Sequence, residues 1–257
     1  MGKESYVLLL TATIEVRGMS NTVLVDSEKR AQQYREAINF YLQATPYKIV
    51  FCENSGTDIS NDFKGEENRL EFLTFRGNDY DKSRGKGLGE VGIIKYVLDN
   101  SQFVKVDTFV VKITGRYIYN NIQNLIRFHS FMPFKRKLVN INISPSDAFC
   151  DSRFFICPRE YLVAIVNSPY VCELDERNNF FIESMLVRMF NESKSSYAIP
   201  FVIKPQGNGI SGTTGYNYVE QDGVNLKYGI SQLLFIIKLL KGYILNKKGN
   251  FSDYANK

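Results

Sequence analysis

The chain has no tryptophan, one histidine and four cysteines in 257 residues. Each scarcity narrows the chemistry. With His129 alone, no histidine pair can share a metal, and no Ser/His/Asp triad with a further histidine ligand can be built. Cys52, Cys150, Cys157 and Cys172 form no C-x-x-C pair and no zinc spacing, so they read as free thiols of a reducing compartment. No apolar run is long enough to span a bilayer. The short run Tyr6 to Leu10 after Met-Gly-Lys-Glu-Ser lacks the core and cleavage site of a secretory signal. The expected location is the cytoplasm, with the inner face of the cytoplasmic membrane as a candidate surface. A net charge of +5 suits phosphate ligands or an anionic surface, and is too small to argue for nucleic acid alone.

What is present is a sizeable apolar inventory, 44% of residues, with 16 Tyr and 19 Phe. Tyrosines suit polar clefts because they offer a flat apolar face and a hydroxyl. The order of elements is that of an α/β domain. Tyr6 to Ile14 is a continuous apolar run, the mark of a strand buried on both faces. Asp26 and Ser27 offer an N-cap to an amphipathic helix over 28–43, and a second strand covers Tyr47 to Cys52. A third strand, Leu70 to Phe75, leads through a Gly- and Lys-rich stretch into a helix carrying Leu88, Val91, Ile94 and Leu98. The pattern then predicts a strand at Thr108 to Ile113, a helix near Tyr119 to Phe128, and strands at 139–144 and 153–157. A helix over 178–192, a strand at 198–203, a patternless glycine-rich loop over 205–218 and a last helix over 229–246 follow. No repeat or linker divides the chain, so one domain is expected, parallel in its first half and mixed in its second.

In open α/β sheets, ligands bind beyond the carboxyl ends of the strands. Three such ends carry chemistry. The first strand ends in Thr11, Thr13 and Glu15, and the second in Glu53, Asn54 and Ser55; together they offer hydroxyls, a carboxylate and an amide to a base and ribose. The strand at 108–113 runs into Lys112, Thr114, Gly115 and Arg116. Arg116 can fork onto a phosphate and Lys112 can serve as a point charge. The segment from Arg84 to Gly89 puts Lys86 and three glycines at a helix entry, another anion-friendly place, though it is neither a dinucleotide fingerprint nor a Walker loop. Asp79-Tyr80-Asp81 and Glu173-Leu174-Asp175 are acidic triplets in charged loops, better read as solvated turns than as metal sites. Glu183, in the first turns of a helix whose dipole favours its ionised form, and Asp151 are the candidate general bases. Alone, each of these features is equally well read as ordinary loop polarity.

Taken together, several stretches carry a resemblance. Thr11-Ala-Thr13, Glu53-Asn-Ser-Gly56, the Gly-rich helix entry, the run from Phe109 to Tyr117 and the run from Asn179 to Leu186 follow one another in an order that resembles the GT-A-fold glycosyltransferases, in particular small bacterial enzymes of capsule or lipopolysaccharide assembly. It covers roughly residues 5–205, resting on layout and short motifs. It implies a GT-A-like (Rossmann-type) mixed, mainly parallel sheet flanked by helices. A nucleotide-sugar-binding half over 5–135, an acceptor and catalytic half over 136–228 and a C-terminal amphipathic helix over 229–248 complete the expected layout.

The resemblance also implies a nucleotide-sugar donor held by Thr11, Thr13, Glu53, Asn54, Lys86, Lys112 and Arg116, a saccharide or lipid-linked acceptor, and Glu183 as base with Asp151 as alternative. Where such enzymes usually carry a metal-binding D-x-D, this chain has Lys112-Ile-Thr-Gly-Arg116. Either the cations neutralise the leaving diphosphate, or manganese or magnesium ligands lie elsewhere. Two competing readings are a sugar nucleotidyltransferase, for which the N-terminal glycine-rich loop is missing, and a non-catalytic peripheral membrane domain. For the last helix, burial in the core competes with contact of its apolar stripe and of Lys241, Lys247 and Lys248 with a membrane.

Overall fold

A computed structural model describes residues 5–144, 149–193, 197–210, 215, 217–219, 228–234 and 236–237. In chain order the elements are β1 (Ser5–Ala12), α1 (Ser27–Ala44), β2 (Lys48–Glu53), β3 (Leu70–Thr74), α2 (Gly87–Asn100), β4 (Thr108–Thr114), β5 (Ile118–Tyr119) and α3 (Ile122–Phe131). They continue with β6 (Leu138–Ser144), β7 (Phe149–Pro158), α4 (Arg159–Val166), α5 (Ile182–Glu192), β8 (Tyr197–Ile199), β9 (Gly207–Ile210) and β10 (Asn217–Val219). The main sheet has seven strands in the order β3-β2-β1-β4-β7-β6-β8. Only β7 runs against the others: β1 to β4 pair in parallel, β7 is antiparallel to both β4 and β6, and β8 is parallel to β6. This is the mixed, mainly parallel sheet flanked by helices that the sequence predicts.

Alternation along the strands sorts the core into two layers. Leu8 and Leu10 of β1, Ile49 and Phe51 of β2, and Val111 and Ile113 of β4 pack with Tyr34, Ile38 and Tyr41 of α1 and Leu125 and Ile126 of α3. Val7, Leu9, Val50, Cys52 and Val110 point the other way, against Ile93, Ile94 and Val97 of α2, Leu162 of α4 and Met185 of α5. With both faces covered, no residue of β1 needs to be polar, which is why it reads as an unbroken apolar run. Each such aliphatic side chain contributes about 1.5–3 kcal/mol on burial. Asp26 caps α1 as expected, accepting from the Lys29 amide.

Several boundaries differ from the pattern: β8 stops at Ile199 where a strand to 203 is predicted, and four others differ for a tertiary reason. The residues expected to open α3 instead form β5, because the Tyr119 amide donates to the buried Tyr41 hydroxyl and Tyr119 pairs with Gly207. The expected short strand at 153–157 is ten residues long, since β7 is held on both sides by β4 and β6. The helix expected over 178–192 begins at Ile182, after Asn179 takes a left-handed conformation. The patternless loop contains β9 and β10, which join β5 in a small second sheet. Gly207 makes that sheet possible: a Cβ there would lie 2.7 Å from the Tyr119 ring. The last helix is seen at 228–234 and 236–237, while Lys238, Lys241, Lys247 and Lys248 lie outside the described residues.

Candidate functional site

A cleft of about 550 Å³ opens at the carboxyl ends of β1 and β4. Its lining includes Thr11, Thr13, Arg30, Lys86, Glu90, Thr114, Arg116, Asp151, Ser152, Glu176 and Glu183. Six of the sequence candidates thus share one cavity: Thr11, Thr13, Lys86, Arg116, Asp151 and Glu183. Glu53, Asn54 and Lys112 do not line it, and each is buried.

Glu53 explains itself by its partners. Its carboxylate accepts from the amides of Ile14, Ser55 and Thr57 and from the Ser55 hydroxyl, so it ties the chain leaving β1 to the chain leaving β2. Asn54 accepts from the Thr13 hydroxyl at 2.7 Å. Lys112 sits within the apolar layer beneath the cleft at 1% exposure. Its ammonium meets the Glu90 carboxylate at 2.7 Å and donates to the Ser152 carbonyl at 2.7 Å and the Thr114 hydroxyl at 3.3 Å. Glu90, from the first turn of α2, is the partner that makes this buried cation tolerable.

Arg116 is placed differently. Gly115 brings the chain against β1, with its amide 2.9 Å from the Thr11 carbonyl, where a Cβ would collide with that oxygen. The Arg116 side chain is then only 8% exposed. Its Nη1 donates to the Gln33 side chain at 3.3 Å and the Ile210 carbonyl at 3.0 Å, and its buried Nε has no partner among the described residues. Arg30, from the first turn of α1, faces it. Arg30 donates to the Thr13 and Leu24 carbonyls and the Tyr34 hydroxyl. Among the described residues, every hydrogen-bond partner of the two guanidiniums is neutral. Burial lowers the Arg30 pKa, and the nearby Arg116 charge lowers it further against the opposing pull of Tyr34. Lys86 is lowered by burial and by the same two guanidiniums, against the pull of Glu176 and Glu183. Three cations therefore converge on one wall and repel one another, which is the electrostatic signature of an anion site.

The α2 entry is also engaged. Glu176 accepts from the Lys86 amide at 2.8 Å and from the Asn21 side chain at 2.9 Å, while the Lys86 ammonium donates to the Asn21 carbonyl at 2.6 Å. A carboxylate of the chain itself thus holds an amide at the helix entry.

The opposite wall is built by β7 and α5. Glu183 accepts a 2.5 Å hydrogen bond from the Ser152 hydroxyl. Its pKa is raised, because burial outweighs the Ser152 hydrogen bond and the attraction of Lys112. Asp151 is gripped by Arg153, whose side chain donates to both its oxygens at 2.8 and 2.5 Å. Among the described residues no three His, Cys, Asp or Glu side chains come together to hold a metal ion. Asp81 caps a short turn and accepts from Ser83, and Asp175 is paired with Arg177.

Sequence reasoning missed Arg30, Glu90, Ser152 and Glu176. Arg30 opens the helix that follows the ligand-facing end of β1, and Glu90 follows directly on the Gly-rich entry to α2, positions that could have flagged them. Ser152 and Glu176 carry no such signal.

No family model matches the chain, and no curated protein matches it. Several solved structures are similar in outline, among them the following three. One is a putative nucleotide-diphospho-sugar transferase from Desulfovibrio desulfuricans G20, at 15% identity and a TM-score of 0.40, over 76% of this chain and 79% of that one. Another is CMP:2-keto-3-deoxy-manno-octonic acid synthetase complexed with CTP, at 10% identity and 0.39, over 76% and 89%. The third is mouse xyloside xylosyltransferase 1, at 9% identity and 0.38, over 70% and 78%.

Proposed function

We propose that the chain is a glycosyltransferase of the GT-A-like kind, moving a sugar from a nucleotide-sugar donor to a saccharide or lipid-linked acceptor hydroxyl in bacterial surface polysaccharide synthesis. The observation that carries this reading is the opposition of two walls in one cleft. Arg30, Lys86 and Arg116 converge, with no carboxylate bonded to either guanidinium among the described residues, and Glu183 faces them with a raised pKa. The cations suit a diphosphate. The strand-end groups Thr11 and Thr13 suit the nucleoside. Glu183 takes the proton from the acceptor hydroxyl as that oxygen bonds to the anomeric carbon. The bond from that carbon to the diphosphate oxygen breaks, and its electron pair leaves with the diphosphate. The guanidiniums and Lys86 stabilise the charge that develops there. This displacement inverts the anomeric centre.

The carboxylates of the cleft do not fit a metal, because each is engaged within the fold: Asp151 by Arg153, Glu90 by Lys112, Glu176 by the Lys86 amide and the Asn21 side chain, and Glu183 by the Ser152 hydroxyl. The reaction is therefore derived through the chain's own cations, and partial or no dependence on manganese or magnesium is the corresponding expectation.

A nucleotidyltransferase acting on a sugar phosphate would use the same cationic wall with an already ionised nucleophile and no base, so the buried Glu183 favours transfer to a hydroxyl over that reading. The deciding experiment is a thermal-shift screen with UDP, GDP, CMP and dTDP, each with and without manganese. A rise in melting temperature with one nucleotide is expected, and no shift at millimolar concentration with any of them would sink the reading. Release of pyrophosphate from a nucleoside triphosphate and a sugar phosphate would move the assignment to the nucleotidyltransferase.

A further inference from the structure

The end of the sheet remote from the cleft carries an exposed aromatic and basic surface. The run Arg127-Phe-His-Ser-Phe-Met-Pro-Phe-Lys-Arg-Lys137 joins α3 to β6. His129 turns inward and is 2.7 Å from the Tyr6 hydroxyl. The phenylalanines turn outward: Phe131 is 75% exposed and Phe134 81%, with Phe128 at the margin. Phe134 holds a left-handed φ of 56°, an unfavourable conformation for an aromatic residue. Arg127, Arg136 and Lys137 are exposed beside them.

A second apolar face meets the first. In the helical residues 228–234 and 236–237, Ile236 packs on Leu138 and Ile199, with Met132 against the same cluster. Ile230, Leu233, Leu234 and Ile237, spaced i, i+3, i+4 and i+7, are all exposed. Two apolar faces therefore join at Leu138 and Met132. Exposed apolar surface of this kind marks an interaction site.

Charge decides what occupies it. From Thr108 to Ser146 the sequence has no Asp or Glu, but it has Arg127, Lys135, Arg136 and Lys137 around the phenylalanines. A two-fold dimer places the same patch on both sides of the contact. Here it would set basic residues against basic residues, and the neighbouring Asp107 is already paired to Arg136. An anionic bilayer accepts the phenylalanines among its acyl chains and the cations at its headgroups.

We propose that this surface docks the protein on an anionic membrane, with Phe131 and Phe134 inserted and the exposed face of Ile230, Leu233, Leu234 and Ile237 lying alongside. β6 runs parallel to β1, so Leu138 and Tyr6 share one sheet edge and the cleft lies at the other, roughly 20 Å away at the usual rise per strand residue. The docked enzyme thus turns its cleft away from the bilayer, and binding is separable from the proposed transfer reaction.

The test is co-sedimentation of the full chain with vesicles of phosphatidylcholine alone and of a two-to-one mixture with phosphatidylglycerol, at low and high salt. The intact chain should pellet with the mixed vesicles at low salt, bind the neutral ones weakly and come off as salt screens the headgroups. The pair Phe131→Ser with Phe134→Asn should abolish pelleting without lowering the melting temperature, since both side chains are exposed and Asn tolerates the left-handed backbone. Arg127→Gln with Lys137→Gln should weaken it by roughly fivefold per charge removed. A chain that stays in the supernatant with mixed vesicles at low salt overturns the proposal. So does binding indifferent to lipid charge. A dimer in sedimentation velocity that the phenylalanine variant dissolves would assign the face to a second copy and overturn it equally.

Discussion

Lys112 and Arg116 leave the same strand four residues apart, and both are buried at the carboxyl end of the sheet. Beneath the cleft, Lys112 meets the Glu90 carboxylate, a carbonyl and a hydroxyl, so its charge is answered within the fold. In the cleft wall, Arg116 has a side-chain amide and a carbonyl as partners, and one donor with none among the described residues. Desolvating a charge costs several kcal/mol unless a partner offsets it. The floor offsets that cost with its own carboxylate. The wall leaves part of it standing, and an arriving anion would relieve it. Two cations that look interchangeable in sequence are thus a structural strut and a candidate ligand.

The largest effects should fall on opposite properties. Lys112→Ala leaves the Glu90 carboxylate unpaired at the floor of the cleft and should cost about 3–5 kcal/mol of stability in urea unfolding. Lys112→Met with Glu90→Gln removes both charges and should recover most of it. A Lys112→Ala protein of full stability that no longer binds nucleotide would reverse the comparison and make Lys112 the ligand. Glu183→Gln keeps shape and the Ser152 hydrogen bond while removing basicity. Turnover should fall by roughly two to four decades with nucleotide affinity kept. Near-normal turnover would return Glu183 to the fold and bring Asp151 forward, although Arg153 already holds it.

Arg116→Ala should be milder and should act on activity. A loss on the order of 2–4 kcal/mol in transition-state stabilisation is expected, read as kcat/KM. Arg116→Lys should not restore it, because an ammonium cannot reproduce the planar fork. Complete loss of activity in EDTA, restored by manganese, would show instead that a metal neutralises the leaving group.

The sheet and most helices were legible in the sequence because both depend on local periodicity. The double-sided burial of β1, the Asp26 cap and the stripe of α2 each leave a mark in consecutive residues. What was not legible depends on partners distant in the chain. Lys112 is paired by Glu90 and Ser152, Glu53 binds the amides of Ile14 and Thr57, and β9 exists because β5 lies beside it. A strand-end polar residue can face a ligand or tie two loops together, and composition at that position is the same in both cases. The contrast between Thr13, at the cleft, and Glu53, fully buried, shows how little spacing alone decides.

The smallest expected effect sharpens the comparison most, because it needs no substrate. A structurally answered charge stabilises the fold, whereas one kept for chemistry opposes it. The raised pKa of Glu183, caused first by its burial, means that the folded chain binds its proton more tightly than the unfolded chain does. Stability from this group is therefore fully present below the ordinary glutamate pKa of about 4.3 and is lost as pH rises through the higher folded value. Glu183→Gln, which cannot ionise, should escape that loss. Its melting temperature should exceed that of the intact chain at neutral pH, and the gap should close as pH falls towards the ordinary glutamate range. The gain sits near the limit of easy detection, since about 1 kcal/mol moves the melting temperature of a domain this size by roughly 2–4 °C. A variant less stable than the intact chain at neutral pH would show that the carboxylate supports the fold, as the Glu90 carboxylate does beneath it.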